Sequence, residues 1–440
     1  MSSCGDSDNP WVEHLTYCDT RKYLYERATV IPKPLRDLTK SPADVAIAQL
    51  ERAFEQSFYA SEQAVSLLET ILAMVRRGAA TRYTNKQEFI RALYSGEPPK
   101  GSAEPLCLTG LAGTGKSKLL AACGRILPPQ SDIEVDDHHS PFPFQNAWHL
   151  LISASPTLKS ILTELARQSG QANLAPRTAE RLQHFIERAA YRNGVLLLTV
   201  DEFQYLSHSA NANTLSTKFL LALRGIGCPL VYAANYSLVR QLQKRNQEDR
   251  QRLLNHVYLL EREDIDSADW QGLIESYCAI APEVFRIDAA RDASDLWHLS
   301  GGLPRMLRRL MITAYQKARS HDQSAVKLHD IKEAFKSNSF SVMREDIQLL
   351  AGQAIDGQDI TRHPDLNPPI KSAQKTPPNA RAATIDNENQ KNAEAVQMSS
   401  LTVAERKAVE QSRKAPKKSL RRQESDDDLL NNLREFKARQ

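Results

Sequence analysis

Apolar residues recur three and four apart through "AIAQLERAFEQSF" and "SEQAVSLLETILAMVRR", between residues 44 and 77, which predicts helices with one buried face. "TNKQEFIRALYSG" repeats the pattern over a shorter stretch, with Thr84 placed as its N-cap and Gly96 as its stop. Between residues 106 and 262 the rhythm changes. Short apolar runs ("LCLT" at Leu106, "AWHLLISA" at Ala147, "VLLLTV" at Val195, "LVYAAN" at Leu230, "HVYLL" at His256) alternate with helical stretches. Strands that are apolar throughout need cover on both faces, so this region is expected to be α/β, a parallel sheet flanked by helices. From residue 265 to 343 the helical period returns, including "DWQGLIESYCAIA" and "LPRMLRRLMITAYQKA", as a small helical lid.

The two ends lack these rhythms. Residues 1–43 are polar and interrupted by proline ("VIPKPLRDL"), which predicts an arm rather than a core. Beyond Gly352 the chain is rich in Pro, Asn, Asp and Gln and poor in large apolar residues, too few to offset ordering entropy. A disordered tail is therefore expected. It carries a basic patch (Arg406, Lys407, Arg413, Lys414, Lys417, Lys418, Arg421, Arg422) and then "ESDDDLLNNLREFKARQ", an acidic block leading into a short amphipathic stretch. The expected organisation is an N-terminal arm with helices over 1–100, a nucleotide-binding core over 101–262, a lid over 263–350 and a tail over 351–440.

Composition narrows the class only slightly. Of 440 residues, 41% are hydrophobic and 25% charged, a globular composition. The net charge of +4 neither requires nor excludes nucleic acid. No apolar run approaches the roughly 18 residues of a membrane span, so no membrane partner is expected. The N-terminus has no basic-then-apolar secretory signal. Six cysteines are scattered without a C-x-x-C pair; several sit inside apolar runs and read as buried free thiols, which fits a reducing cytoplasm.

The chemistry sits in "GLAGTGKS", residues 110–117, which follows one apolar run and precedes the helical "SKLLAACGRIL". This is a complete G-x-x-x-x-G-K-[ST] phosphate loop in its strand-to-helix context. Gly110, Gly113 and Gly115, with Thr114 between them, allow backbone N–H groups to wrap phosphates without a Cβ in the way. Lys116 is expected to reach the β- and γ-phosphates of ATP, and Ser117 to ligate Mg²⁺. The following helix N-terminus adds partial positive charge. About 85 residues later, "VLLLTVDEFQYL" ends an apolar strand in Asp201-Glu202. Asp201 is expected to hold Mg²⁺ and Glu202 to orient or deprotonate water. Together the two motifs predict a P-loop NTPase of the type with an extra central strand.

Three further positions complete the expected site. Asn235, at the end of "LVYAAN", reads either as a γ-phosphate sensor or as a strand-end asparagine starting a turn. Arg305 in "LSGGLPRML" is placed at the start of a lid helix, within reach of nucleotide. "KRNQEDRQRLL" offers Arg245, Arg250 and Arg252, with Arg250 the first choice for an arginine acting on a neighbouring subunit's nucleotide. His138 and His139, after "DIEVDD", show no convincing metal-ligand spacing and read as an exposed insertion loop.

Taken in order, "LCLTGLAGTGKSKLL", "WHLLISASPTLKSILTELARQSG", "VLLLTVDEFQYL", "STKFLLALRGIGCPLVYAAN" and "LSGGLPRMLRRLM" resemble the TnsC/TniB transposition regulators, a family of AAA+ ATPases. The resemblance covers about residues 101–335. It departs from the family at Asn235, where many relatives have "GT" or "GS", and at the helix ending in Gly170. It implies an ATP-dependent regulator that forms a homo-oligomeric ring or filament on double-stranded DNA and couples a target-selection protein to the transposase, with hydrolysis resetting the assembly. It also implies a basic stripe toward the DNA, for which Lys159 and Arg240 are candidates, and a C-terminal tail that contacts transposase subunits. Two other readings stand beside it: a replication-initiator or helicase-loader AAA+ ATPase, and a signalling NTPase switch that does not bind DNA.

Overall fold

All five apolar runs become strands, and their order explains how the two acidic residues come to face the phosphate loop. In the computed structural model, which describes residues 9–18, 20–99, 104–152, 157–170, 178–203, 212–356, 360 and 363–370, seven strands are found. They are β1 (Leu106–Gly110), β2 (Ser131–Ile133), β3 (Phe142–Phe144), β4 (Asn146–Leu151), β5 (Val195–Asp201), β6 (Leu230–Ala234) and β7 (His256–Leu260). The main sheet is parallel throughout, in the order β4-β5-β6-β1-β7. One strand, β6, thus lies between the strand leading into the phosphate loop and the strand ending in Asp201. Pairing of Thr109 with Ala234 and of Val200 with Tyr232 brings Gly110, Asp201 and Asn235 to the same, carboxyl edge. This is the parallel, helix-flanked sheet that the alternation predicts, with the extra central strand expected from the two motifs.

Period-two alternation sends successive strand residues to opposite faces. Leu106 and Leu108 join one core with helices Glu62–Arg82 and Lys116–Ile126. Cys107, Tyr232 and Val200 join the other, with helices Leu158–Gln168, Ala179–Arg192 and Tyr236–Gln243. Cys18, Cys107, Cys123 and Cys228 are buried free thiols and Cys278 is half-buried; Cys4 lies outside the described residues.

The N-terminal segment departs from the expected arm. Helices Pro10–Glu13 and Arg21–Ala28 are part of the core, with Trp11, Leu15, Leu24 and Ala28 at most 1% exposed. Trp11 stacks on Tyr83 at 4.8 Å, and Tyr83 stacks on Tyr191 at 5.0 Å. Few apolar residues suffice here because one is a tryptophan with a large area to bury. The helices predicted over 44–77 are Ala43–Gln56 and Glu62–Arg82. The shorter helix, Lys86–Ser95, ends at Gly96 in the left-handed conformation (φ 74°) as expected, but its N-cap is Asn85, which accepts from the Glu88 amide, one residue beyond Thr84.

The lid comprises helices Ala268–Cys278, Ala289–Ser300, Pro304–Ser320, Leu328–Phe335 and Ser341–Asp356. Helix Ala43–Gln56 packs against it, whereas Glu62–Arg82 packs against the sheet. Part of the tail expected from residue 351 is ordered in the described residues. The last lid helix runs to Asp356, and residues 363–370 pack onto helix Tyr236–Gln243. Two small anchors explain this where composition misled: Ile360 and buried Asn367 exchange hydrogen bonds of 2.9 and 3.0 Å, and Ile370 packs on the core. The basic patch and acidic block lie outside the described residues.

Candidate nucleotide site

Residues 110–117 form a loop that turns β1 into helix Lys116–Ile126. A Cβ on Gly110 would stand 2.5 Å from the Leu260 carbonyl, so β7 leaves no room for one. Gly113 (φ 94°) and Gly115 (φ 103°) occupy the left-handed region that other residues adopt only at a cost. Around Gly115 nothing lies within 4 Å of where a Cβ would project, so the loop is concave there. Thr114 Oγ1 closes the turn by donating to the Leu111 carbonyl at 3.0 Å.

Lys116 points its ammonium back into this loop, donating to the carbonyls of Gly110 and Leu111 at 2.8 Å each. Burial, then the Arg305 guanidinium, pull its pKa down to about 8, against the pull of Asp201 and Glu202. Asp201 is buried, and its Oδ1 accepts from the Glu202 amide at 2.8 Å. Glu202 stands at φ 56°, a left-handed conformation costing a non-glycine residue about 1–2 kcal/mol, directly beside the expected chemistry.

Asn235, expected as a sensor or as the start of a turn, follows β6 directly. Its Oδ1 caps helix Tyr236–Gln243 by accepting from the Leu238 amide at 2.9 Å, and the residue also lines the cavity.

The lid closes the loop from above. Gly301 (φ 66°) caps one lid helix, and Gly302 (φ 69°) has no room for a Cβ, which would meet Trp297 Nε1 at 2.5 Å. That tight reversal sets Pro304 at the start of the next helix. The Arg305 amide then donates to the Gly113 carbonyl at 3.3 Å. The cavity between lid and loop is about 480 Å³ and collects Gly113, Thr114, Gly115, Lys116 and Ser117 with Asp201, Glu202, Asn235 and Arg305. Gly110 lies just outside its lining, behind the Lys116 ammonium.

Sequence reasoning missed part of the wall. Arg308 and Lys118 add two cations, and burial followed by Arg308 lowers the Lys118 pKa. Arg308 follows Arg305 by three residues, on the same helix face, a spacing legible in "RMLRR". Phe54 comes from helix Ala43–Gln56, Phe58 and Tyr59 from the segment joining it to helix Glu62–Arg82, and no local pattern marks them as part of this site. A concave loop with four cations facing two carboxylates fits a polyphosphate with its divalent cation. Lys116 and the loop amides would hold the phosphates, and Ser117 and Asp201 would hold Mg²⁺.

Other expected residues lie elsewhere. Arg250 is exposed on helix Gln247–Leu254, outside the cavity of its own chain. Arg245 pairs with Asp249 at 3.7 Å and Arg252 with Glu248, while Arg250 forms no ion pair among the described residues. Lys159 is exposed on helix Leu158–Gln168. Arg240, a candidate DNA contact, instead donates to the carbonyls of Pro364 and Asn367. The insertion holding His138 and His139 is the β2–β3 hairpin, where Asp136 Oδ1 accepts from both histidine amides at 2.9 Å. Among the described residues no group of three or more His, Cys, Asp or Glu side chains could hold a metal ion, and no helix is long and apolar enough to cross a membrane.

Residues 100–242 match the AAA domain family (AAA_22). That span holds the phosphate loop, Asp201, Glu202 and Asn235. Among solved structures, the chain is similar to the ADP form of the ORC2 protein of Aeropyrum pernix (14% identity, 71% of this chain and 84% of that one, TM-score 0.41). It is also similar to the ORC1 protein of Aeropyrum pernix in complex with DNA (15%, 65% and 68%, 0.38). A third is the Cdc6p protein of Pyrobaculum aerophilum (11%, 69% and 71%, 0.43). No curated protein matches the sequence.

Proposed function

We propose that this protein is a Mg²⁺-dependent ATPase that assembles on double-stranded DNA when ATP is bound and regulates DNA transposition, linking a target-selection protein to the transposase. The observation that supports this most is the division of the cavity between two bodies, the phosphate loop on the sheet and Arg305 with Arg308 on the lid. The transposition reading rests on the ordered motif series from "GLAGTGKS" to "LSGGLPR".

ATP with Mg²⁺ would supply the γ-phosphoryl group, whose transfer to water breaks the β–γ phosphoanhydride bond and releases ADP and phosphate. Lys116 exchanges its two backbone carbonyl partners for phosphate oxygens, which restores a charge that burial disfavours. Asp201 and Ser117 hold the cation. Glu202 orients water and takes its proton, and the free Nδ2 edge of Asn235 donates toward the γ-phosphate while Oδ1 stays on its cap. Arg305 and Arg308 report the phosphates to the lid. Arg250, exposed and without an ion pair among the described residues, is the group we assign to the neighbouring subunit's site.

Electron microscopy of the full chain with duplex DNA tests the proposal, comparing a non-hydrolysable ATP analogue, ADP and no nucleotide. Rings or filaments should form on DNA only with the analogue and vanish in Lys116→Ala. Monomers that ignore DNA in every state would overturn the proposal and favour a signalling switch.

A further inference from the structure

A second cavity, about 830 Å³, opens beside the amino ends of the strands, away from the phosphate loop. Asn193, in its wall, lies two residues before β5, whereas Asp201 ends that strand. The walls come from helix Lys86–Ser95, the β2–β3 hairpin and helix Ala179–Arg192. Arg181, His184, Arg188 and Arg192 all line it, three and four residues apart along one face of one helix. Eleven residues separate the first from the last, about 16 Å along the axis. Among the described residues Arg181, Arg188 and Arg192 form no ion pair, and His184 approaches Glu187 at 3.7 Å. The remaining lining is largely apolar: Ile90, Leu93, Phe142, Phe185 and Ala189. Tyr94, 77% exposed on the opposite wall, is held at its hydroxyl by His139 at 2.9 Å.

We propose that this cavity is a docking site for an acidic amphipathic segment of a partner protein, with Leu-, Ile- or Met-type residues on the floor and Asp or Glu against the arginine row. Three exposed arginines that form no ion pair among the described residues stand here beside an apolar floor. An occupant of opposite charge and amphipathic shape complements both. The row has the length of about three helical turns, and its spacing of three and four matches carboxylates on one face of a helix. A nucleic-acid strand would meet the charge and could stack on Phe142 or Phe185, but it would leave the aliphatic Ile90, Leu93 and Ala189 without an apolar partner. The site stands apart from the nucleotide cavity and does not depend on the ATPase reading.

Phage-displayed random peptides of roughly 16 residues, about four helical turns, would be selected on the full-length protein and counter-selected on the Arg181→Glu/Arg188→Glu/Arg192→Glu variant. Enriched peptides would be labelled and titrated by fluorescence anisotropy, with a labelled single-stranded oligonucleotide as the competing occupant. The expected peptides combine Asp or Glu with aliphatic residues at helical spacing. They should bind about tenfold more weakly to the triple variant and weaken with added salt. Replacing the three arginines with lysine should retain most of the binding, and fluorescent ATP-analogue binding should be unchanged in both variants. If the triple glutamate variant misfolds, Arg188→Glu against Arg188→Lys makes the same comparison. Enrichment without acidic bias, or peptides indifferent to the substitutions, would overturn the proposal. Oligonucleotide binding lost in the variant, with no peptide enriched, would overturn it in favour of nucleic acid.

Discussion

Lys116 has a pKa near 8 because burial and Arg305 outweigh Asp201 and Glu202. The sign follows from comparing states: between pH 8 and the ordinary lysine range the unfolded chain binds a proton that the folded one has shed. Nucleotide-free protein therefore gains stability as pH rises through that window. Nucleotide binding runs the opposite way, since phosphates need the ammonium. Affinity for an ATP analogue should hold level below pH 8 and fall above it, with proton uptake visible by calorimetry in buffers of different ionisation enthalpy. Lys116→Arg should remove the pH dependence. Glu202 offers a second check at this scale. Its φ of 56° suits asparagine better than glutamate, so Glu202→Asn should raise the unfolding free energy from urea titration by up to about 1 kcal/mol while reducing turnover about 100-fold or more. These groups were readable because phosphate chemistry dictates residue types at fixed spacing. Lys118 and Phe58 were not, because what unites them is a shared cavity wall rather than a local pattern, and Arg308 was legible only through its spacing from Arg305.

At the scale of elements, strands and long helices were legible, since burial on two faces or one leaves a period in the sequence. The N-terminal helices were not. Pro10–Glu13 and Arg21–Ala28 are too short for a period to emerge, and their contribution rests on Trp11 against Tyr83 and Phe89. Trp11 is 1% exposed, so Trp11→Ala should cost about 3–5 kcal/mol by denaturant unfolding. An arm, by contrast, would tolerate the change within about 0.5 kcal/mol. The phosphate loop and lid meet just as tightly. A Cβ on Gly113 would stand 2.9 Å from Arg305 Cβ, on a backbone at φ 94°. Gly113→Ala should therefore push the lid helix away and lower ATP-analogue affinity by about tenfold or more, for a strain of about 1–3 kcal/mol. Arg305→Gly in the same background would recover part of that loss if the clash, rather than the loop backbone, dominates.

For the whole molecule, the decisive question is whether the site is completed by a second copy. Within one chain the cavity has a phosphate loop, an acidic pair and two lid arginines, while Arg250 stands on an exposed helix outside it. A head-to-tail assembly repeats one interface, so each site would pair one subunit's loop with the next subunit's Arg250. Lys116→Ala spoils the loop and keeps the arginine; Arg250→Ala does the reverse. Each variant alone should hydrolyse ATP at no more than about one hundredth of the normal rate on DNA. Mixed in equal amounts, they should regain activity, because about one quarter of randomly formed interfaces join an intact loop to an intact arginine. Steady-state phosphate release against mixing ratio, with a maximum near equal amounts, is the measurement. Should the mixture stay silent while Arg245→Ala or Arg252→Ala complements Lys116→Ala, the trans arginine would be one of those. Full turnover by Arg250→Ala alone would remove it from the site.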